Sequence, residues 1–216
     1  QSLINDQVNS IIEDSEGDLW YGTNNGISLQ DSKTGKWRSF LSTFENVQNS
    51  KNHIFTTLCE VSPGIIWAGG YFSGLYQIDK RTSKTTYFTP ASYAHESIRP
   101  DKYIRDIRKD SRGYVWSGGY YNLKRINIQT KDIRLYHGLH SVTAIIEKDD
   151  KSMWIGTATG LFLLDIESGK YERIQLPVES TYVYSLYQTK QGSLYIGTSG
   201  SGVLIYDPQT KLFTQY

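Results

Sequence analysis

Four histidines could carry out chemistry near neutral pH, and they are His53, His95, His137 and His140. Imidazole titrates in this range and is a common metal ligand. The four are spread over three separate stretches, however, and only His137 and His140 are close in sequence. Two ligands without a third do not define a metal site. The sequence therefore predicts no metal and no cofactor.

Catalytic nucleophiles and acids are also scarce. Cys59 is the single cysteine and lies in a strand-like run, where a buried and inert thiol is expected. Asp106 is an acidic residue at a repeated position where the other copies have small side chains: Ser10, Thr56, Ala144 and Ser185. A glycosidase needs a second carboxylate about 5–10 Å away, and none is evident. Because no Ser-His-Asp signature or phosphate-binding loop appears either, we predict no catalytic residue and no enzyme activity.

Paired aromatic residues and nearby arginines form the more promising set. Exposed aromatic rings can stack on sugar rings or receive a partner's side chains, and a guanidinium can pair with a carboxylate or sulfate. We predict a ligand-binding surface from seven residues: Asn25, Tyr71, Phe72, Arg99, Arg105, Tyr120 and Tyr121. The alternative is that the aromatic rings only pack the longer loops onto the sheets beneath them.

The charge balance narrows the range of partners. The chain has 23 Lys and Arg against 22 Asp and Glu, so nothing indicates an electrostatic grip on nucleic acid or on an anionic membrane. No apolar run approaches the roughly 18 residues that span a bilayer, so we expect no membrane contact within this segment. Because the chain begins at Gln1 and not at Met, we interpret it as a segment of something longer.

A repeat positions these residues. The pattern apolar–aromatic–x–Gly occurs five times: Leu19–Gly22, Ile66–Gly69, Val115–Gly118, Met153–Gly156 and Leu194–Gly197. The interval of about 40–50 residues is typical of a four-stranded propeller blade. The sequence therefore predicts an all-β fold, a β-propeller of five four-stranded blades. We place one propeller segment over 1–216, with blades near 6–40, 52–88, 102–136, 140–174 and 181–216.

The strand order of a blade sorts the candidates onto one face. We expect first strands from Val8, Ile54, Ile104, Val142 and Val183. The loops between second and third strands emerge on the same face as the connections between blades. The paired aromatics lie in the loops between second and third strands, and the histidines lie in the connections between blades. Two of these connections are long, 41–53 and 89–103. The glycine after each anchor aromatic is expected where a side chain would strike a neighbouring sheet.

The run from Val8 to Ile27 resembles the two-component regulator propeller repeat, and Val142–Leu161 and Val183–Val203 match it with small departures. The second and third copies depart further with Gly69-Gly70 and Gly118-Gly119. The resemblance implies the periplasmic sensor region of a hybrid two-component system of gut Bacteroidetes. In that family, seven-bladed propellers and a further β-domain precede a membrane span and a histidine kinase. Five repeats are present here, so either five blades close into a ring or they are a fragment of a seven-bladed one.

Three functions follow as alternatives. The first is a non-catalytic sensor segment that binds an oligosaccharide and signals to a histidine kinase outside this chain. It would lie in the periplasm as part of an inner-membrane sensor, next to another propeller or β-domain and a homodimer partner. The second is a propeller enzyme, similar to a glycosidase or to streptogramin-inactivating lyases. The third is a scaffold for spacing and dimerisation only.

Overall fold

The computed structural model describes residues 2–40, 53–88 and 103–216, and the chain in these ranges is all β. Its described residues form five four-stranded antiparallel sheets, called here the first to the fifth in chain order. The first contains β1 (Val8–Glu13), β2 (Leu19–Thr23), β3 (Gly26–Gln30) and β4 (Trp37–Phe40). The second contains β5 (Ile54–Ser62), β6 (Ile65–Tyr71), β7 (Gly74–Asp79) and β8 (Lys84–Tyr87). The third contains β9 (Ile104–Lys109), β10 (Tyr114–Gly119), β11 (Leu123–Asn127) and β12 (Ile133–Tyr136).

The fourth sheet contains β13 (Val142–Asp149), β14 (Ser152–Thr157), β15 (Gly160–Asp165) and β16 (Tyr171–Ile174). The fifth contains β17 (Val183–Gln188), β18 (Leu194–Thr198), β19 (Val203–Asp207) and β20 (Leu212–Gln215). Within each sheet, strands that are consecutive in the chain pair with each other, which is the meander of a propeller blade. The predicted fold class is therefore confirmed. The described residues contain no helix long and apolar enough to cross a membrane.

Tight turns make the hairpins possible. Between β1 and β2, Asp14 accepts hydrogen bonds from the backbone N–H groups of Glu16 and Asp18, both at 3.0 Å. Gly17 takes a φ of 87°, a left-handed conformation that glycine adopts without a Cβ clash. The turn between β9 and β10 repeats this arrangement around Asp110.

The apolar core lies between consecutive sheets. Buried clusters join the first sheet to the second, the second to the third, the third to the fourth and the fourth to the fifth. Each of these four junctions contains one fully buried anchor tryptophan, and they are Trp20, Trp67, Trp116 and Trp154. Neighbouring sheets therefore cover each other's apolar faces, as the repeat predicts.

The glycine after each of the first four anchors packs against the first strand of the next sheet, whereas Gly197 after the fifth anchor meets only Ser185 of its own sheet. A Cβ added to Gly69 would lie 2.6 Å from Cγ2 of Ile104, and one added to Gly156 would lie 2.6 Å from Cγ1 of Val183. Real Cβ atoms are not found so close to another heavy atom. The predicted reason for the repeated glycine is thus seen directly, and we call each such glycine and its surroundings a socket.

The first strands are also tied together near the axis. The Asp106 carboxylate accepts a 2.7 Å hydrogen bond from the backbone N–H of Ile145 in the next sheet. The hydroxyl of Thr57 likewise accepts one of 3.1 Å from the N–H of Ile107. Thr57 pairs with Gly69 as Asp106 pairs with Gly118, so Thr57 and not Thr56 is the equivalent of Asp106. Aligning the first strands by their first residues places Thr56 opposite Asp106, one residue before the true equivalent. The reason is that β5 begins one residue earlier than the other first strands.

Candidate ligand-binding site

Five aromatic residues gather at the ends of β6 and β10, and we call Tyr71, Phe72, Tyr103, Tyr120 and Tyr121 the aromatic cluster. Tyr103 lies at its centre, with ring centroids 6.2 Å from Tyr71, 4.8 Å from Phe72 and 6.1 Å from Tyr120. Tyr120 and Tyr121 meet edge to face at 4.9 Å. The cluster spans the second and third sheets, so the structure brings both predicted aromatic pairs together.

Backbone contacts fix the base of the cluster. Tyr71 and Tyr103 form an isolated antiparallel bridge, and the N–H of Tyr120 donates to the Tyr103 carbonyl at 3.1 Å. Phe72 has a φ of 60°, which is uncommon for an aromatic residue and turns its ring outward. Phe72 and Tyr120 are 50% and 56% exposed. Their partial burial against Tyr103 therefore leaves ring surface available for a ligand.

Arg105 lies beside the cluster and joins it to the fifth sheet. Its guanidinium carbon is 5.7 Å from the centroid of the Tyr71 ring and 6.0 Å from that of Tyr182. The guanidinium also donates a hydrogen bond to the Tyr182 hydroxyl, and the Tyr182 ring packs at 4.6 Å against Tyr184. Among the described residues, no carboxylate lies within 4 Å of Arg105. The site thus holds a cation between two aromatic rings with no described counter-charge.

The repeat shows that Arg105 is unusual at its position. In the first, second and fourth sheets this position is occupied by Asn9, Thr56 and Thr143, each of which donates to a carbonyl of the next sheet. Arg105 donates to a side chain instead. The fifth sheet has Tyr184 here, 59% exposed. Arg105 and Tyr184, which replace the short hydrogen-bonding side chain of the other sheets, therefore both lie at this site.

Sequence reasoning missed Tyr103, Tyr182 and Tyr184, which the structure adds to the predicted residues. The signal that could have found Tyr184 is the comparison with Asn9 and Thr143 at the same repeat position. Tyr103 and Tyr182 belong to the connections that precede first strands, where the repeat has no common pattern.

Two predicted site residues are not brought into the cluster. Asn25 lies in the loop of the first sheet, where its backbone N–H donates to the Thr23 hydroxyl at 3.1 Å. No contact described for Asn25 reaches the aromatic cluster. Arg99 lies outside the described residues. Both remain predictions.

The histidines occupy separate places. Nδ1 of His140 lies 2.7 Å from the carbonyl oxygen of Tyr121, so it borders the aromatic cluster. His53 is in the first-to-second connection, where burial lowers its pKa, and His137 is exposed. His95 lies outside the described residues. Within 2–40, 53–88 and 103–216 there is no group of three His, Cys, Asp or Glu side chains that could hold a metal ion.

Asp106 is a buried structural acceptor in this geometry. Burial raises the pKa of its carboxyl, opposed by the neighbouring Arg108 and by the Ile145 N–H. Nε of Arg108 lies 3.2 Å from one carboxylate oxygen. A buried carboxyl with raised pKa can be an acid catalyst, but this one faces the next sheet and not the aromatic cluster. The contacts described for it are with Arg108 of its own strand and with Ile145 of the next sheet.

Comparison with known proteins agrees with this architecture. The family model described as two component regulator propeller matches residues 2–25 and 177–200. The extracellular domain assigned to a hybrid two component system of B. thetaiotaomicron aligns with a TM-score of 0.80 at 20% identity, over 98% of this chain and 30% of that one. The extracellular domain assigned to a one component system of the same organism gives 0.79 at 23%, over 97% and 27%.

A third similar structure comes from an enzyme. Catalytically inactive virginiamycin B lyase from Staphylococcus aureus, solved with quinupristin, aligns with a TM-score of 0.79 at 16% identity, over 100% of this chain and 72% of that one. At these identities the three structures show the propeller fold alone. The chain spans about 30% of the length of the B. thetaiotaomicron domains. No curated protein matches the chain.

Proposed function

We propose that this chain, which carries two-component regulator propeller repeats, is a non-catalytic ligand-binding segment of a periplasmic sensor. Its ligand is an oligosaccharide with an anionic group, and its signal passes to a histidine kinase outside this chain. The observation that carries the proposal is Arg105, held between the rings of Tyr71 and Tyr182 beside exposed aromatic side chains. The likeness to extracellular domains of bacterial sensor systems supports the setting.

The chemistry of the site suits an acidic sugar. Sugar rings present C–H faces that stack on Phe72 and Tyr120, whose rings are half exposed. A uronate carboxylate or a sulfate would pair with the Arg105 guanidinium, which has donors beyond the one used by Tyr182. A neutral oligosaccharide of the same shape would stack on the aromatic rings but would not form the ion pair with Arg105.

Arg105 also offers a way for binding to act on the fold. It connects β9 of the third sheet with Tyr182, which precedes β17 of the fifth. An anion that competes with the Tyr182 hydroxyl for the guanidinium changes a contact between two sheets. A ligand that binds one arrangement better than the other shifts the population toward it.

Calorimetric titration with acidic and neutral oligosaccharides tests the proposal. Losing a charge-assisted hydrogen bond between guanidinium and ligand is expected to cost about 1.5–3 kcal/mol of binding free energy. Arg105→Ala should therefore weaken binding of an acidic oligosaccharide by about 10–100-fold. Arg81→Ala is the matched control, because Arg81 is an exposed arginine in the turn between β7 and β8. Phe72→Ala should weaken acidic and neutral ligands alike.

Unchanged affinity in Arg105→Ala, with the thermal unfolding temperature preserved, would contradict the assignment of this site. Failure of every oligosaccharide to bind would favour a scaffold, for which the predicted neighbouring propeller or β-domain and homodimer contacts would be the function. Asn25 and Arg99 remain proposed ligand contacts, and alanine variants at each are tested in the same titration.

A lyase is the second candidate, supported by the structural likeness to virginiamycin B lyase. It needs an acid–base group at the ligand. His140 borders the cluster through its contact with the Tyr121 carbonyl and is the described residue best placed for that role. Incubation with quinupristin, followed by mass spectrometry, distinguishes the two functions. Ring opening that is abolished by His140→Ala would establish the lyase and overturn the non-catalytic proposal.

A further inference from the structure

Two junctions between sheets are closed at their outer edge by an arginine. Arg38 of β4 donates to the carbonyl oxygen of Lys80, in the turn after β7, at 2.9 Å. Arg134 of β12 donates to the carbonyl oxygens of Ile166 and Glu167, in the turn after β15, at 2.9 and 2.7 Å. Lys80 and Ile166 are equivalent residues, because each follows the aspartate that ends a third strand. The same guanidinium position and the same turn carbonyl are thus used at both junctions.

An aromatic ring lies next to each of these guanidinium groups. The guanidinium carbon of Arg38 is 5.9 Å from the ring centroid of Phe40, and that of Arg134 is 5.1 Å from the ring centroid of Tyr136. Each of these rings also stacks at 5.1 Å on the anchor tryptophan of its own sheet. The arginine therefore covers an aromatic pair while it bonds the next sheet.

The second-to-third junction obtains its cation from the later sheet. Thr86 of β8 stands at the arginine position. Nζ of Lys131, in the turn before β12, lies 5.8 Å from the ring centroids of both Trp67 and Phe88. The first three junctions therefore each place a cation over the aromatic rings at the outer edge.

The fourth-to-fifth junction has a carboxylate in place of the arginine. Glu172 of β16 stands at the register position of Arg38 and Arg134. The turn carbonyl that would receive the arginine belongs to Pro208, which follows the aspartate at the end of β19. An ionised carboxylate has no hydrogen to donate to it. Among the described residues, no cation lies within 4 Å of the Glu172 carboxylate, and Lys211 in the turn before β20 is exposed.

A groove of about 590 Å³ lies along this junction. It is lined by residues from every strand of the fourth sheet, among them Lys148, Ser152, Leu163, Asp165 and Glu172. Leu163 also packs against the buried cluster between the fourth and fifth sheets, so the groove faces the fifth sheet. Its lining supplies four carboxylates against three ammonium groups, which suits a ligand with a single positive charge. The volume is in the range of sites that bind small ligands or single side chains.

A buried donor and a buried acceptor at the inner end of this groove have no partner within the described residues, and they are the indole N–H of Trp154 and Oε1 of Gln188. The anchor indoles of the first and third sheets donate to Asp14 and Asp110 at 2.8 and 2.9 Å. Lys148 stands at the position of these aspartates, two residues after the strand partner of the anchor tryptophan. The side-chain amide of Gln188 donates to the Lys148 carbonyl at 3.4 Å. Both unpartnered atoms are therefore placed beside Lys148, which lines the groove.

Tyr206 of β19 lies between the two ends of the groove. It occupies a position that is buried and aliphatic in the second, third and fourth sheets. Its ring meets that of Trp154 edge to face at 5.8 Å. Burial raises the pKa of its hydroxyl, the carboxylates of Glu172 and Asp207 add to this effect, and the Lys148 ammonium opposes it. Tyr206 thus supplies the aromatic partner of the anchor tryptophan near the position of the missing arginine.

We propose that the groove between the fourth and fifth sheets binds a peptide segment of a partner protein through one arginine side chain. The guanidinium takes the position that Arg38 and Arg134 take at their own junctions, where Glu172 and the Pro208 carbonyl are both acceptors. Arginine fits better than lysine, because its planar fork donates to two acceptors at once. The partner thereby supplies the cation that the first three junctions obtain from within the chain.

The inner end of the groove favours a peptide over a free guanidino compound. The Trp154 indole lacks an acceptor and the Gln188 oxygen lacks a donor within the described residues, and one peptide group offers both. The groove lies at the hairpin-turn end of the sheets, whereas the aromatic cluster lies at the opposite end of β6 and β10. The peptide site is therefore separate from the proposed oligosaccharide site, and neither depends on the other.

Indole signals in ¹H–¹⁵N NMR spectra of the chain test the proposal. The probe is the capped tripeptide acetyl-Gly-Arg-Gly-amide, and its addition should move the indole signal of Trp154. The indole of Trp67 also lacks a described partner and is the internal control, whose signal should not move. The same peptide with the uncharged analogue citrulline should bind about 10–100-fold more weakly. Equal binding of the citrulline peptide would overturn the proposal, and agmatine that binds as tightly as the peptide would overturn the choice of a peptide.

A variant that supplies the arginine from the chain itself gives the second readout. Glu172→Arg should abolish binding of the arginine peptide and raise the unfolding temperature by about 2–4 °C. Glu179→Arg is the matched control, because Glu179 is an exposed glutamate of the connection after β16 and the change of charge is the same. Full affinity for the peptide in Glu172→Arg would contradict the site, and so would an equal loss of affinity in Glu179→Arg.

Discussion

Lys80 holds the first two sheets together through buried charges. It follows β7, and its Nζ lies 2.6 Å from the carboxylate of Asp14, 2.8 Å from that of Asp18 and 2.6 Å from that of Glu16. The side chains of Lys80, Asp14 and Asp18 are 8%, 0% and 9% exposed, whereas Glu16 is 64% exposed and its bond is screened by solvent. The perturbation that follows is Lys80→Met, which keeps an unbranched side chain one atom shorter and removes the charge.

The expected loss is set by the two buried carboxylates. Removing one partner of a buried ion pair costs about 3–5 kcal/mol, because the other charge is left without compensation. Asp14 keeps the Trp20 indole N–H at 2.8 Å, and Asp18 keeps the N–H and hydroxyl of Ser32 at 2.8 and 2.9 Å. The remaining donors place the loss at the lower end, about 3 kcal/mol in the free energy of unfolding at pH 7.

The loss should also depend on pH. Burial opposes ionisation of Asp14 and Asp18 and is the largest single influence, but the hydrogen bonds from Lys80 and from the neighbouring donors together outweigh it, so the pKa of each carboxyl is lowered from 3.8. A carboxyl with a lowered folded pKa adds stability above its unfolded pKa, and this stability disappears as pH falls through the folded value. In Lys80→Met the burial is opposed only by the remaining donors, so the pKa of both carboxyls rises and they take up protons more readily. The difference from wild type should therefore shrink as the pH is lowered from 7 toward 4.

Urea unfolding at pH 7 and at pH 4.5, followed by tryptophan fluorescence, measures both effects. Lys84→Met is the control, because Lys84 is an exposed lysine of the same sheet. A loss below about 1 kcal/mol at pH 7 would show that solvent compensates the two aspartates. A loss that stays constant between the two pH values would refute the electrostatic explanation even if the magnitude agreed.

Two further predictions concern buried groups. Asp110 accepts the indole N–H of Trp116 at 2.9 Å, so Asp110→Ala should lower the free energy of unfolding by about 1–3 kcal/mol, measured by urea unfolding. Asp110→Asn retains an oxygen acceptor and should lose less free energy of unfolding. Equal losses in the two variants would mean that the negative charge of Asp110, and not its hydrogen-bond acceptor, stabilises the fold. Burial raises the pKa of the Cys59 thiol, so a thiol reagent at pH 8 should modify it slowly in the native protein and rapidly in urea. Cys59 is half-buried, and fast stoichiometric labelling of the native protein would contradict the low reactivity expected from its raised pKa.

The strands were predictable from the sequence because the residues that form each hairpin lie close together within the repeat. The five first strands begin at the residues predicted for them, from Val8 to Val183, since alternating apolar residues and short polar turns, Asp-Ser-x-Gly in the first and third copies, determine the hairpins locally. The socket role of the glycines was predictable for the same reason. The alignment pairs Thr56 with Asp106 because β5 has one added residue at its start, and no local sequence pattern indicates that residue.

The site was predictable only in part. Tyr71 and Tyr120 stand at equivalent loop positions of adjacent blades, so their proximity follows from the repeat. The contact of Arg105 with Tyr182 joins residues 77 apart, on the third sheet and before the fifth, and it depends on the angles between the sheets and the length of both side chains. No one-dimensional pattern encodes those angles, because they result from the packing of many side chains between sheets.

Departures from the repeat are therefore more informative than the repeat itself. Lys80 replaces an apolar or small residue, since its equivalent in the fourth sheet is the buried Ile166. All the described partners of its ammonium group are carboxylates, so the charge of Lys80 is compensated within the fold. Arg105 replaces a short hydrogen-bonding residue, and its contacts within the described part of the chain are aromatic rings and one hydroxyl, with no carboxylate among them. A cation that is compensated by carboxylates stabilises a junction, whereas Arg105 has no carboxylate partner among the described residues. That difference makes Arg105 the residue on which we expect recognition of an anionic ligand to depend.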